Sequence, residues 1–237
     1  MPDLGAPALA YLAVFVLFIP WIALKSKRHL DAGKPAPPRA ARIRSVLVFQ
    51  GLMIGLGLLL ERQWELRLLP PPGFTGRQLL IALGLFALLA ASIPWRWRSL
   101  PEGERRRATL LMPRSGRDVP AWVLISCLAG FGEELNYRGV LVAVLTAATG
   151  NWWIAVAVSI AAFSLAHAAQ SWRKAGMVAA FSVVFQAAVV LAGSLLPAML
   201  AHAAYDIVAG LVFGRLARNL PEPPAPSAAA TPPLSRP

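Results

Sequence analysis

Six ionisable side chains stand inside otherwise apolar stretches of this sequence: Glu133, Glu134, Arg138, His167, His202 and Asp206. At a bilayer centre each would cost at least ~2.5–3.5 kcal/mol, so such groups must face a bundle interior or a wet cavity and satisfy one another. Glu134 and Arg138 are four residues apart in the favourable acid-first order, so one helix face can hold both charges as a pair. Glu133 lies about 100° further round that helix and cannot share Arg138, which leaves it free for chemistry. His202 and Asp206 share a face by the same spacing, as do Phe163 and His167. The convergent set is a carboxylate from one helix, an imidazole from a second, and an imidazole with a carboxylate from a third. That set suits a divalent metal with nitrogen and oxygen ligands, or a water-activating base with polar partners for an oxyanion.

Plainer roles account for the residues around them. A lone histidine in an apolar helix is most often a helix–helix hydrogen bond, but two histidines and three acids on three helices make a site. Arg138 reads as an internal counter-ion and Phe163 as pocket wall. Asn136 and Tyr137 can hydrogen-bond across helices. Gly130, Gly132 and Gly139 bracket the first motif and allow close helix approach or local distortion. Cys127, the single cysteine, forms no intramolecular disulfide, excludes CxxC-type sites, and is expected to be a buried packing residue. Tryptophans at 21, 95, 97, 122, 152, 153 and 172 fall near the ends of apolar blocks and read as interfacial anchors.

The elements that must position these groups are membrane spans. Of 237 residues, 57% are apolar and 14% charged, with mean hydropathy +0.58; soluble domains carry about a quarter charged residues. Apolar blocks run over Pro7–Leu24, Ser45–Leu60, Gln78–Trp95, Val119–Thr149, Asn151–Ala169, Ala175–Leu195 and Leu196–Leu216. The fold class is therefore an all-α, polytopic transmembrane bundle of about seven spans, with six to eight compatible. The last two blocks part only at the Gly193–Pro197 turn. The first block is followed, not preceded, by basic residues and reads as a retained span.

The formal charge of +12 sits in short basic loops, a membrane pattern that excludes a nucleic-acid partner. Those loops alternate with segments poor in bases, which puts the N-terminus outside and the C-terminus in the cytosol. The Ala/Arg/Trp-rich, compact chain suggests a bacterial plasma membrane. Residues 1–118 form a lead-in of three spans, 119–218 the helical core that carries the polar groups, and 219–237 a Pro/Ala-rich tail expected to be disordered. Oligomeric state is not legible.

Glu133-Glu134-Leu135-Asn136-Tyr137-Arg138-Gly139 resembles the EExxxR motif of the CPBP intramembrane protease family, which includes the type II CAAX prenyl endopeptidases and the Abi bacteriocin-immunity proteins. Phe163-Ser164-Leu165-Ala166-His167 resembles its FxxxH motif. His202-Ala203-Ala204-Tyr205-Asp206 resembles its third motif, a histidine followed four residues on by Asn or Asp. The resemblance covers Ala121 to about Gly214. It implies an intramembrane endopeptidase that cleaves a membrane-associated protein or peptide, the namesake being a prenylated CAAX protein.

Under that resemblance Glu133 would activate water with His167, His202 and Asp206 would complete the site, and Glu134 with Arg138 would brace it. A divalent metal such as Zn²⁺ held by Glu133, His167, His202 and Asp206 is one implication; a glutamate-activated water without metal is the other. Asp206, where the prenyl endopeptidases have Asn, favours the cation. Asn136 departs from the family's usual apolar residue. The rival readings are a non-catalytic immunity or regulatory protein of the same fold, and a transporter or proton relay. Straight, perpendicular helices would hold Glu133, His167 and His202 at different depths, so strong tilt, a break near Gly139 or shifted span edges are expected.

Overall fold

The computed structural model describes residues 4–34, 37–69 and 74–218; the tail over 219–237, expected to be disordered, lies outside them. No strand occurs among these residues. Helix α1 spans Ala6–Asp31 and includes a π-helical stretch at Ala13–Phe18. It is followed by α2 (Arg39–Gln63), α3 (Gly76–Ser99) and a short surface helix α4 (Glu102–Ala108). Next come α5 (Val119–Glu133), a π segment (Glu134–Val140) and α6 (Leu141–Thr149) in one unbroken rod. The last three are α7 (Trp152–Ala166), α8 (Trp172–Ala192) and α9 (Leu196–Ala217).

Seven rods thus stand where the seven apolar blocks fall. Five of them (α1, α2, α3, α8 and α9) are long and apolar enough to cross a bilayer, and the chain is a multi-pass membrane protein. Helix α7 has 15 residues, about 22 Å of rise against a ~30 Å hydrocarbon core. It ends at Ala166, sooner than the expected Ala169, with His167 at its C-cap.

Local chemistry sets the helix ends. Thr75 Oγ1 accepts from the Gln78 amide at 3.2 Å while the Gln78 side chain accepts from the Thr75 amide at 3.1 Å, a reciprocal cap on α3. Asn151 caps α7 and Ser171 caps α8. The turn from α8 to α9 uses Gly193 at φ 63° and Pro197 in the first turn of α9.

Helix α9 packs between α5 and α3, α2 lies along α5, and α7 is flanked by α1, α6 and α8. The two larger apolar clusters lie around Tyr11, Phe15, Tyr137 and Phe163 and around Leu89, Phe185, Tyr205 and Phe213, and a smaller one joins Leu135, Leu195 and Met199. Gly130 allows α5 its contact with α9: a Cβ there would sit 2.7 Å from the Ala203 amide nitrogen and 2.8 Å from the Met199 carbonyl oxygen.

At one end of the bundle the basic segments meet. Arg107 pairs with Asp31 at 2.5 Å and Arg39 with Asp118 at 3.5 Å. Arg42 donates to the Leu110 carbonyl at 2.7 Å, and Arg173 to the Ser99 carbonyl at 3.3 Å. Asp118 accepts from the Arg114 and Ser115 amides, which, with Arg39 nearby, hold its carboxyl below the usual range.

Two expectations are corrected. Cys127 is exposed on the outward face of α5 rather than buried, because the inward face is taken by the small residues that meet α9. Trp122 is more than an interfacial anchor. Its indole N–H donates to the Asp206 carbonyl at 3.0 Å and fastens α5 to α9.

Candidate active site

The π segment begins at Glu134, one residue after Glu133, and is a local distortion of the helix beside Gly139, short of a break. Insertions of this kind recur at functional sites, because the extra residue in the turn redirects the side chains beside it. All seven residues from Glu134 to Val140 are buried.

Glu134 is fully buried and its Oε1 is the hub of the bracing. It accepts from Arg138 Nη1 at 3.1 Å and faces His202 Nδ1 at 2.7 Å. Arg138 donates its other arm to Ser182 Oγ at 2.9 Å and lies over the rings of Phe163 and Phe185, with 4.3 and 5.4 Å to their centroids. It therefore bridges the two larger apolar clusters and carries its charge with a carboxylate, a hydroxyl and two π faces around it.

The second carboxylate, Glu133, points elsewhere, as its rotation around the helix requires. Its Oε2 lies 4.0 Å from His167 Nε2 and 3.8 Å from His202 Nε2. His202 Nε2 is in turn 3.7 Å from Asp206 Oδ2. These separations exceed direct hydrogen bonding and suit contact through one small bridging group. His167 Nδ1 lies 2.9 Å from the Phe163 carbonyl oxygen. A carbonyl only accepts, so Nδ1 carries the proton and the Nε2 lone pair of the neutral ring faces Glu133. Phe163 stands edge-on to that ring at 4.6 Å and is pocket wall, as expected.

Several participants lie outside the motifs. Gln50 on α2 donates its side-chain amide to Glu133 Oε1 at 2.9 Å, leaving Oε2 for the histidines. Asn136 donates to the Met53 carbonyl at 2.9 Å and the Gly132 carbonyl at 2.7 Å, and accepts from the Tyr11 hydroxyl at 3.0 Å. The residue that departs from the family pattern thus ties α1 and α2 to the π segment. The signal for Gln50 and Ser182 was each residue's isolation as a polar group within an apolar block.

The cluster opens into a cavity of about 150 Å³ that reaches His167, His202, Asp206, Trp122, Arg96 and Lys174. Among the described residues no three His, Cys, Asp or Glu side chains are placed to hold a metal ion. Both Nδ1 atoms are held by hydrogen bonds and both Nε2 atoms are turned toward the acids, as in a metal-ligating imidazole, and the Nε2 and acid oxygen atoms stand 3.7–4.0 Å apart, somewhat wider than the ~3.4 Å between ligand atoms of a closed tetrahedral site. Glu133, His167, His202 and Asp206 are the side chains that would hold a divalent ion after a small contraction, and such an ion would supply polarisation of the attacking water.

An all-α multi-pass membrane protein with a buried carboxylate–histidine site is the class that fold and geometry define. Residues 115–208 match the family model described as type II CAAX prenyl endopeptidase Rce1-like. That stretch spans all three motifs, and the match supports the family resemblance that the motifs carry. No curated protein and no solved structure matches the chain significantly.

Proposed function

We propose that the protein is an intramembrane endopeptidase that hydrolyses a peptide bond of a membrane-associated substrate through Glu133 and His167. The observation that carries this reading is the approach of Glu133 Oε2 to two imidazole Nε2 atoms at 3.8 and 4.0 Å beside an open cavity. A water held between these groups would lose a proton to the Glu133 carboxylate, with the His167 lone pair as its second acceptor. The hydroxide oxygen bonds to the scissile carbonyl carbon, and the oxyanion takes a hydrogen bond from His202 Nε2–H. Glu134 and Asp206 orient that ring. Collapse breaks the C–N bond, and the proton held by Glu133 passes to the leaving amine.

The natural candidates for substrate are prenylated peptides with a cysteine four residues from the carboxyl terminus, as the family's name suggests. The test is cleavage of quenched fluorescent peptides, farnesylated or unmodified at that cysteine, by the purified protein in detergent. Wild type should cleave, and Glu133→Gln should fall by about 10²–10⁴-fold, the usual worth of a positioned base, with an unchanged melting temperature. Activity should persist in exhaustive chelator. Loss on chelation with recovery on adding Zn²⁺ would replace the metal-free step by a metal-assisted one. Cleavage equal in wild type and Glu133→Gln would end the reading.

A further inference from the structure

Beside the catalytic cluster lie two cations that the bracing and the water activation do not use. Arg96, near the end of α3, is only 7% exposed, yet among the described residues its guanidinium makes no hydrogen bond or ion pair. It lies over the rings of Phe181, Tyr205 and Phe213 with 5.4–5.9 Å to their centroids. Lys174, in the first turn of α8, is half-buried, and its ammonium likewise has no hydrogen-bond or ion-pair partner among the described residues. The Tyr205 hydroxyl, on a residue 4% exposed, is a third donor in the lining and is unpartnered too.

Arg96 and Lys174 stand where the catalytic cavity meets a second, largely apolar groove of about 560 Å³, and both line both. Arg138 also lines the cavity but is neutralised by Glu134, so its one acid, Asp206, faces two uncommitted cations. The groove adds Arg173 against Glu104. Buried donors are almost always satisfied, and a buried cation without a counter-ion is costly. Such a constellation holds together when its partner arrives with a ligand.

We infer that Arg96, Lys174 and Tyr205 form an anion subsite that holds the substrate's terminal carboxylate on the leaving-group side of the scissile bond. The inference rests on the endopeptidase reading above and deepens it: the chain would read a free carboxyl terminus. A planar carboxylate fits the fork of a guanidinium while an ammonium and a phenol donate from the side. Its position in the same cavity as His202 and Asp206 favours a carboxylate of the bound peptide over a lipid headgroup.

The test compares one peptide as its free acid and as its terminal amide. Binding is measured by fluorescence anisotropy to full-length Glu133→Gln protein, so the readout does not depend on turnover. The acid should bind roughly 10- to 100-fold more tightly than the amide, the worth of a charge-assisted hydrogen bond. Lys174→Gln and Arg96→Gln should each bring the acid/amide ratio towards one, and Arg96→Lys should keep most of it. If Arg96→Gln fails to fold, Lys174→Gln carries the test. An acid/amide ratio of one in the Glu133→Gln protein would overturn the subsite, whatever the outcome of the cleavage assay. It would equally be overturned if the variants kept the ratio while losing a dependence on phosphatidylglycerol in the vesicles, because the cations would then serve a headgroup. A clear ratio without cleavage of either peptide would leave the subsite standing and end the endopeptidase reading.

Discussion

Two adjacent carboxylates divide the labour at Glu133 and Glu134 because consecutive helical positions point in different directions. Glu134 has Arg138 and His202 on one oxygen, so removing Arg138 takes away the guanidinium of a buried ion pair and leaves the acid with His202 alone. Breaking a buried pair in this way typically costs about 3–5 kcal/mol. Arg138→Ala should therefore lower the melting temperature and the level of folded protein, measured by a thermal ramp in detergent, whereas Glu133→Gln should not. A fully stable Arg138→Ala would remove the bracing role. Ser182→Ala should cost less, because Arg138 keeps Glu134 and two aromatic faces.

The helices are held to these contacts by close backbone approach. At Gly130 any side chain meets the α9 backbone, so Gly130→Val must push α5 and α9 apart. Overpacking costs about 1–3 kcal/mol, and here it also separates Glu134 from His202. The expected result is a lowered melting temperature together with activity lost beyond what the residual folded fraction explains. A Gly130→Val protein with wild-type turnover would show that the 2.7 Å His202–Glu134 contact is dispensable. The seven apolar blocks, the pairing of Glu134 with Arg138 and the outward turn of Glu133 were all legible in the sequence, because each follows from hydropathy or helical spacing. The π segment was legible only as the local distortion that its bracketing glycines allow, since an extra residue in a turn has no composition of its own. Gln50 was not legible as part of the site, for a neutral amide on a distant helix is placed only by packing. Nor was the engagement of both Nδ1 atoms, which depends on where α7 stops and on how α9 is rotated.

At the scale of the whole molecule, the segments around Asp31–Arg42, Ser99–Asp118 and Arg173 gather at one end through ion pairs and carbonyl contacts. By the positive-inside rule that end is expected to face the cytosol. Reporter fusions at Arg107 and Arg218 should then read cytosolic and one at Gly150 external; a cytosolic signal at Gly150 would overturn the orientation. The outward-facing Cys127 has a practical consequence of another kind. As the chain's one thiol, on the face of α5 turned away from the other helices, it is a ready attachment point for a single reporter dye. A pyrene maleimide coupled there without any mutation should be quenched by brominated acyl chains in liposomes and spared by aqueous iodide. The same adduct would read the immersion depth of α5 directly, and with it how far below the headgroups the neighbouring turn begins to unwind.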